Sequence, residues 1–290
     1  MGSARWDDGP VTDTAFVKGH GTENDFVLLP DANGQLDLTA ERAARLCDRR
    51  AGIGGDGVIR VVRTDATDDP AAIAARGEAR WFMDYRNSDG SVSEMCGNGI
   101  RVFALYLATH ASIDPRDPLK VATRDGVKTI TFSATDDGDV AITVDMGSPR
   151  TGQESKVSVG DRTWAAVSVD MGNPHAVTFV ESLEDAGSLL EAPSIDGSVY
   201  PEGANVEFVV RRGDQHVAMR VHERGSGETR SCGTGACAVM VASAIADGAD
   251  RGTPYVVDVP GGSLSITWTE DDRVLMTGPA RLVAEGVTTL

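Results

Sequence analysis

"EMCGNGIRVFALYLATH" at 94–110 and "RSCGTGACAVMVASAIA" at 230–246 decide how this chain folds. Each puts a cysteine directly before a G-x-G and then runs apolar on nearly every face. An apolar stretch with no polar stripe is a helix buried on all sides. Cys96 and Cys232 lie 136 residues apart (232 − 96), close to half of the 290-residue length, so the spacing points to two related halves. Each half then holds one central helix with a thiol at its N-terminus.

The matches continue outward. Asn87 precedes Cys96 by nine residues (96 − 87), and Glu223 precedes Cys232 by nine (232 − 223). An Asn-bearing loop opens each half, "GTENDF" with Asn24 and "GNPHAVTF" with Asn173. Around these loops, "GVIRVVR", "ARWFMDYR", "VAITVDMG", "AAVSVDMG", "NVEFVVR", "HVAMRVHER", "YVVDVPG" and "LSITWTE" alternate or run apolar between Gly, Asp and Pro, the pattern of strands. "TAERAARLCDRR" reads as a helix capped by Thr39 and stopped before Gly52. Many short strands with few long helices predict an α+β fold of two similar domains, not a doubly wound sheet. The acidic turn "TDDGD" at 135–139 suggests the division, giving 12–135 plus 275–290 as one domain and 136–274 as the other.

A formal net charge of −17 excludes the basic surface that nucleic-acid binding requires. The first fifteen residues contain no apolar core of a secretory signal, and the Ala236–Ala246 run is too short for the ~18 residues of a membrane span. Four cysteines are too few for a disulfide scaffold, so a cytoplasmic protein with reduced thiols is expected.

"GIGGDG" at 52–57 matches the letters of the dinucleotide fingerprint, but a helix precedes it and a strand follows, the reverse of the order that brings a helix N-terminus to pyrophosphate. It reads as a turn that stops the helix. No C-x-x-C pair supports zinc, and none of Lys18, Lys120, Lys128 and Lys156 has the setting of a Schiff-base lysine, so neither a metal nor a cofactor is expected. Cys47 and Cys237 read as core residues.

Cys96 and Cys232 can be read as small buried hydrophobes, but that leaves the paired glycines without a role. At a helix N-terminus free N–H groups and the dipole favour a thiolate, and glycines let a carboxylate approach the same N–H groups. The dipole supplies roughly 0.3–1 kcal/mol, up to ~2 in partly buried settings. That lowers a thiol by about one unit from ~8.5, so a neighbour must help. His175 and the Glu223–Arg224 pair are the candidates. Two opposed thiols suit removal of a proton from one face of a carbon and return of another to the opposite face, as in racemisation beside a carboxylate. A dithiol/disulfide redox protein and a binding module are the readings from other classes.

Together "GHGTENDF", "RRAGIGGDG", "YRNSDGSVSEMCGNG", "DMGNPH", "YPEGANVEF" and "HERGSGETRSCGTGAC" resemble, in order and over nearly the whole chain, the motif series of the diaminopimelate epimerases. The resemblance implies cofactor-independent interconversion of LL- and meso-diaminopimelate for lysine and peptidoglycan synthesis. It implies two β-barrel-like mixed sheets, each around a central helix, with the site between them and the last strand returning to the first domain. It makes Cys96 and Cys232 the acid/base pair, tuned by His175 and Glu223. Asn24, Asn87, Gly97, Asn98, Asn173, Asn205, Glu223, Arg224, Gly233 and Thr234 fall on substrate-binding positions. One departure stands out: where many members carry a substrate-contacting Gln, this chain has Gly57. Proline and hydroxyproline racemases, of the same fold, are the nearest alternative, but they carry His where Asn98 stands. A small amino acid is the expected partner, and a homodimer is plausible on the same grounds.

Overall fold

The computed structural model describes residues 13–135 and 140–289; the expected dividing turn, at 136–139, and Thr12 lie outside them. Among the described residues, four α-helices and eighteen strands follow one another. The first half contains β1 (Asp13–Gly21), β2 (Asn24–Pro30), α1 (Ala40–Cys47), β3 (Gly57–Arg63), α2 (Pro70–Ala74), β4 (Trp81–Asn87), α3 (Gly97–His110), β5 (Leu119–Thr123), β6 (Gly126–Ala134) and β7 (Val140–Asp145). The second contains β8 (Arg150–Val159), β9 (Arg162–Asp170), β10 (Pro174–Phe179), β11 (Ser194–Ile195), β12 (Asn205–Gly213), β13 (His216–Glu223), β14 (Gly227–Thr229), α4 (Gly233–Asp247), β15 (Pro254–Val259), β16 (Gly262–Trp268) and β17 (Val274–Pro279). The chain ends on β18 (Arg281–Thr289).

Local chemistry explains the boundaries. Thr39 caps α1 as expected, its hydroxyl accepting the Arg42 N–H at 3.2 Å. The "GIGGDG" segment does stop that helix: Gly54 takes φ +84° and its N–H bonds to the Leu46 carbonyl. Central strands read Val, Ile and Phe because both of their faces are covered. In β12, Val206 and Phe208 belong to a satellite core while Val209 joins the main one.

The duplication is visible in the strand ladder. Running β18–β1–β2–β3–β4–β5–β6–β7, neighbours pair antiparallel, antiparallel, parallel, antiparallel, parallel, antiparallel, antiparallel. Running β8–β9–β10–β12–β13–β15–β16–β17, the same seven-step pattern returns. A β17–β7 pairing joins the two runs into one continuous sheet. The first run wraps α3, which touches β1, β2, β3, β7 and β18; the second wraps α4, which touches β9, β10, β12, β13, β15, β16 and β17.

The repeat also moves the expected divisions. A cut at 135/136 separates β7 from the helix it covers, and a cut at 274/275 splits β17. Counting β7 with the first unit and β17 with the second restores the pattern. Both central helices are buried as their apolar faces demand, with Ile100, Phe103 and Leu107 of α3 and Ala236 to Val241 of α4 at 0 % exposure. Among the described residues no helix is long and apolar enough to cross a membrane.

Candidate active site

Cys96 and Cys232 are the N-caps of α3 and α4. Each backbone is extended there, with φ/ψ of −137°/119° and −116°/114°. Each sulfur accepts the N–H of the residue three ahead, Gly99 at 3.4 Å and Gly235 at 3.3 Å. A sulfur thus does the work that Ser or Asp does at ordinary caps. The two helix ends meet head to head. A methyl placed on Gly233 would sit 3.2 Å from the Gly97 Cα, and one on Gly97 would sit 3.5 Å from the Gly233 Cα. A side chain at Gly233 would press on the Gly97 backbone, and one at Gly97 would meet the ends of Met276 and Met146 at 2.9 and 3.0 Å, so both positions favour glycine.

The thiols open on one cavity of about 1760 Å³. Asn24, Asn87, Asn98, Asn173, Asn205, Glu223, Arg224, Gly97, Gly233 and Thr234 line it too, so every residue expected to bind substrate is brought to one place. Asn24 is held by its amide nitrogen, which donates to Asp56 at 2.7 Å. Its oxygen therefore faces the Cys96 sulfur at 3.6 Å and accepts from Asn98 at 3.2 Å. Asp56 in turn shares Arg49 with Asp25, while Lys18 also bridges to Asp25. Burial works against the Asp25 charge, yet the Arg49 and Lys18 bonds hold it well below the usual carboxylate range. Asn98 also reaches across the units, donating to the Ser231 carbonyl at 3.0 Å. In the second unit the Asn205 oxygen accepts the Arg224 backbone N–H at 2.9 Å.

The thiols do not titrate as the helix-dipole argument predicts. Burial pushes Cys96 up to about 11; the Glu223 charge adds to this, while the N–H groups of Gly99 and Asn98 and the Arg101 charge pull the other way. Cys232 is raised well above the ordinary thiol value, again by burial first and then by the Glu223 and Glu207 charges. Desolvation exceeds what a helix end returns, so burial favours the thiol form of both sulfurs. Glu223 is itself raised by burial, partly offset by the Thr229 hydroxyl that donates to it, by His175 and by the adjacent Cys232 thiol.

His175 stands behind the cavity wall at 0 % exposure. Its Nδ1 pairs with Glu207 at 2.7 Å and its Nε2 with Asn173 at 3.0 Å. It therefore reaches the thiols through neighbours and not by direct contact. Glu207 was not among the residues singled out from the sequence. Its second carboxylate oxygen has no hydrogen-bond partner among the described residues, and its first lies 2.7 Å from where a methyl on Gly235 would be. A carboxylate inside the apolar run "NVEFVV" was the available signal, since a buried charge in a central strand needs a reason. Arg101 was also missed. Fully buried, it donates to the Gly97 and Pro279 carbonyls and the Thr22 hydroxyl, each at 3.2 Å, and burial lowers it to about 10. Among the described residues no group of three or more His, Cys, Asp and Glu is placed to hold a metal.

The family model described as diaminopimelate epimerase matches residues 16–152 and 167–283. The chain belongs to the diaminopimelate epimerase family. A diaminopimelate epimerase of Streptomyces coelicolor is 58% identical over 95% of this chain and 95% of its own length. One from Mycolicibacterium gilvum is 46% identical over 93% and 96%. The fold extends further than the family: a hydroxyproline epimerase from Agrobacterium vitis superimposes with a TM-score of 0.68 at 15% identity, covering 97% of this chain and 93% of that one. A phenazine biosynthesis protein of the PhzF family from Bacillus anthracis gives 0.71 at 14%, covering 96% and 100%. This epimerase is thus an isomerase built as two similar units around paired helices, with the cleft between them.

Proposed function

We propose that this chain interconverts LL- and meso-diaminopimelate, a step of lysine synthesis, by a two-base mechanism in which Cys96 and Cys232 face opposite sides of the substrate α-carbon. One observation carries the reading: two cysteine-capped helix ends touch at Gly97 and Gly233 and open on the same cavity. The first-turn N–H groups at both ends receive the α-carboxylate, whose charge grows as the α-proton leaves. One sulfur enters as thiolate and takes the α-proton. The other, a thiol, delivers its proton to the opposite face, so the thiolate ends on the partner and the roles reverse in the other direction. The substrate ammonium, brought into a dry cleft, supplies the positive charge that burial denies to the thiolate. Glu223 is the carboxylate beside Cys232 able to accept a displaced thiol proton.

We expect the protein, after dialysis against a chelator and with no added cofactor, to convert LL-diaminopimelate to the meso form and to leave L-proline and hydroxyproline untouched. Turnover of proline in place of diaminopimelate would transfer the chain to the racemase reading. Activity lost on chelation and restored by a metal would sink the metal-free mechanism.

Glu223→Gln separates two roles of that carboxylate. Its charge raises both thiols, so removing it lowers their pKa and leaves more thiolate at a given pH. Iodoacetamide should then alkylate the cysteines several-fold faster at pH 8, while turnover drops roughly 100-fold because the proton acceptor is gone. Alkylation no faster than in the parent protein would place the controlling charge elsewhere.

A further inference from the structure

The duplicated ladder gives each site position a counterpart. Phe26 pairs with Gly57 in the first unit as His175 pairs with Asn205 in the second, so Gly57 opens β3 where Asn205 opens β12. Two residues before these partners stand Asn24 and Asn173. Asn87 and Glu223 end the next strands, ahead of Cys96 and Cys232. The second unit thus presents Asn173, Asn205, Glu223 and Cys232, and the first presents Asn24, Asn87 and Cys96 with a gap at Gly57.

That gap is filled. A methyl on Gly57 would lie 2.5 Å from the Arg86 carbonyl oxygen and 2.5 Å from the Tyr85 ring, with the Tyr85 hydroxyl at 3.1 Å. No side chain longer than hydrogen fits at 57, because Tyr85 leans across the β3–β4 pair into its space. The counterpart of Tyr85, two residues before Glu223, is Val221, which is 1 % exposed and purely apolar. The polar group absent at 57 has therefore entered from 85. Tyr85 lines the cavity, on the same face of β4 as Asn87. Burial, with the charges of Cys96, Glu223 and Asp56, raises the phenol well above its ordinary value, so it is an intact O–H at neutral pH.

We propose that the Tyr85 hydroxyl hydrogen-bonds a charged head group of the bound diamino dicarboxylic acid, supplying in the first unit the contact that Asn205 is placed to make in the second. The inference rests on the function proposed above. It also assigns Gly57 a reason: the glycine is there to admit the tyrosine.

Tyr85→Phe is the test, because it removes one oxygen and keeps the ring against Phe26, whose centroid is 5.9 Å away. A hydrogen bond to a charged group is worth about 1.5–3 kcal/mol, so kcat/KM for LL-diaminopimelate should fall roughly 10- to 100-fold, chiefly through KM. The melting temperature and the rate of Cys96 alkylation in the empty enzyme should not move. Titration calorimetry of meso-diaminopimelate into Cys96→Ala and into Cys96→Ala/Tyr85→Phe should show the same loss in affinity. A Phe variant within twofold of the parent in kcat/KM, or a loss matched by a fall in melting temperature, overturns the assignment. A parent enzyme inactive on diaminopimelate would instead overturn the function itself, so the two failures are told apart.

Discussion

Cys96→Ala and Cys232→Ala should each remain folded and lose epimerisation by roughly 10²- to 10⁴-fold, since a positioned acid or base contributes about that factor and inversion needs one on each face. The two variants should nevertheless differ from a dead protein. The remaining sulfur can still remove and return a proton on its own face. In deuterated water each variant should then exchange the α-hydrogen of one epimer only, without inverting it. Cys→Ser provides the structural control: a hydroxyl keeps the helix cap that alanine costs by about 1 kcal/mol, but it is too weak an acid to replace a thiol. NMR of the α-position decides. Inversion persisting above a hundredth of the parent rate in either variant, or early deuterium in both epimers of the parent reaction, would mean that one base serves both faces.

The cysteine pair, both buried helices, Asn24, Asn87 and Asn173 were legible because their signals are local, whereas Asn98 and Asn205 were named only through the resemblance to the diaminopimelate epimerases. A C-G-x-G ahead of an all-apolar run names a capped central helix wherever it occurs, and two copies at half-length spacing name a duplication. What escaped depends on contacts between distant strands. Nothing near Gly57 in the chain says that it is the counterpart of Asn205, since that equivalence appears only in the β2–β3 and β10–β12 registers. Tyr85 gave no signal for the same reason, as its partner in the argument lies on the neighbouring strand. A division at 135/136 leaves β7 apart from α3, which it touches, because turn composition does not say which helix a strand covers. The helix end was expected to lower the thiols too little by itself; the Gly99 N–H does favour a Cys96 thiolate, and burial outweighs it.

Gly235→Ala should damage the enzyme far more than Gly99→Ala, although the two glycines hold equivalent places in the repeat. Each donates its N–H to the sulfur that caps its helix, at 3.3 Å and 3.4 Å. A methyl on Gly99 would stand 3.1 Å from the end of Ile59 and 3.4 Å from the Cys96 Cβ, contacts that a shift of a few tenths of an ångström relieves. A methyl on Gly235 would stand 2.7 Å from Glu207 Oε1 and 3.2 Å from the Cys232 sulfur. Glu207 cannot swing aside to water, because it is fully buried and tied to His175 at 2.7 Å. Overpacking of this kind costs about 1–3 kcal/mol, which at roughly 2–4 °C per kcal/mol for a chain of this size lowers the melting temperature by several degrees. The larger effect is catalytic. Either Cys232 is displaced from the α-carbon or Glu207 is driven off His175, and a misplacement of about 1 Å can cost 100-fold in rate. We therefore expect kcat about 100-fold down for Gly235→Ala and within about fivefold of the parent for Gly99→Ala, both measured on folded protein with a melting curve alongside. Equal losses in the two variants would show that the repeat is symmetric in energy as well as in topology, and that the buried Glu207–His175 pair gives the second thiol nothing that the first lacks.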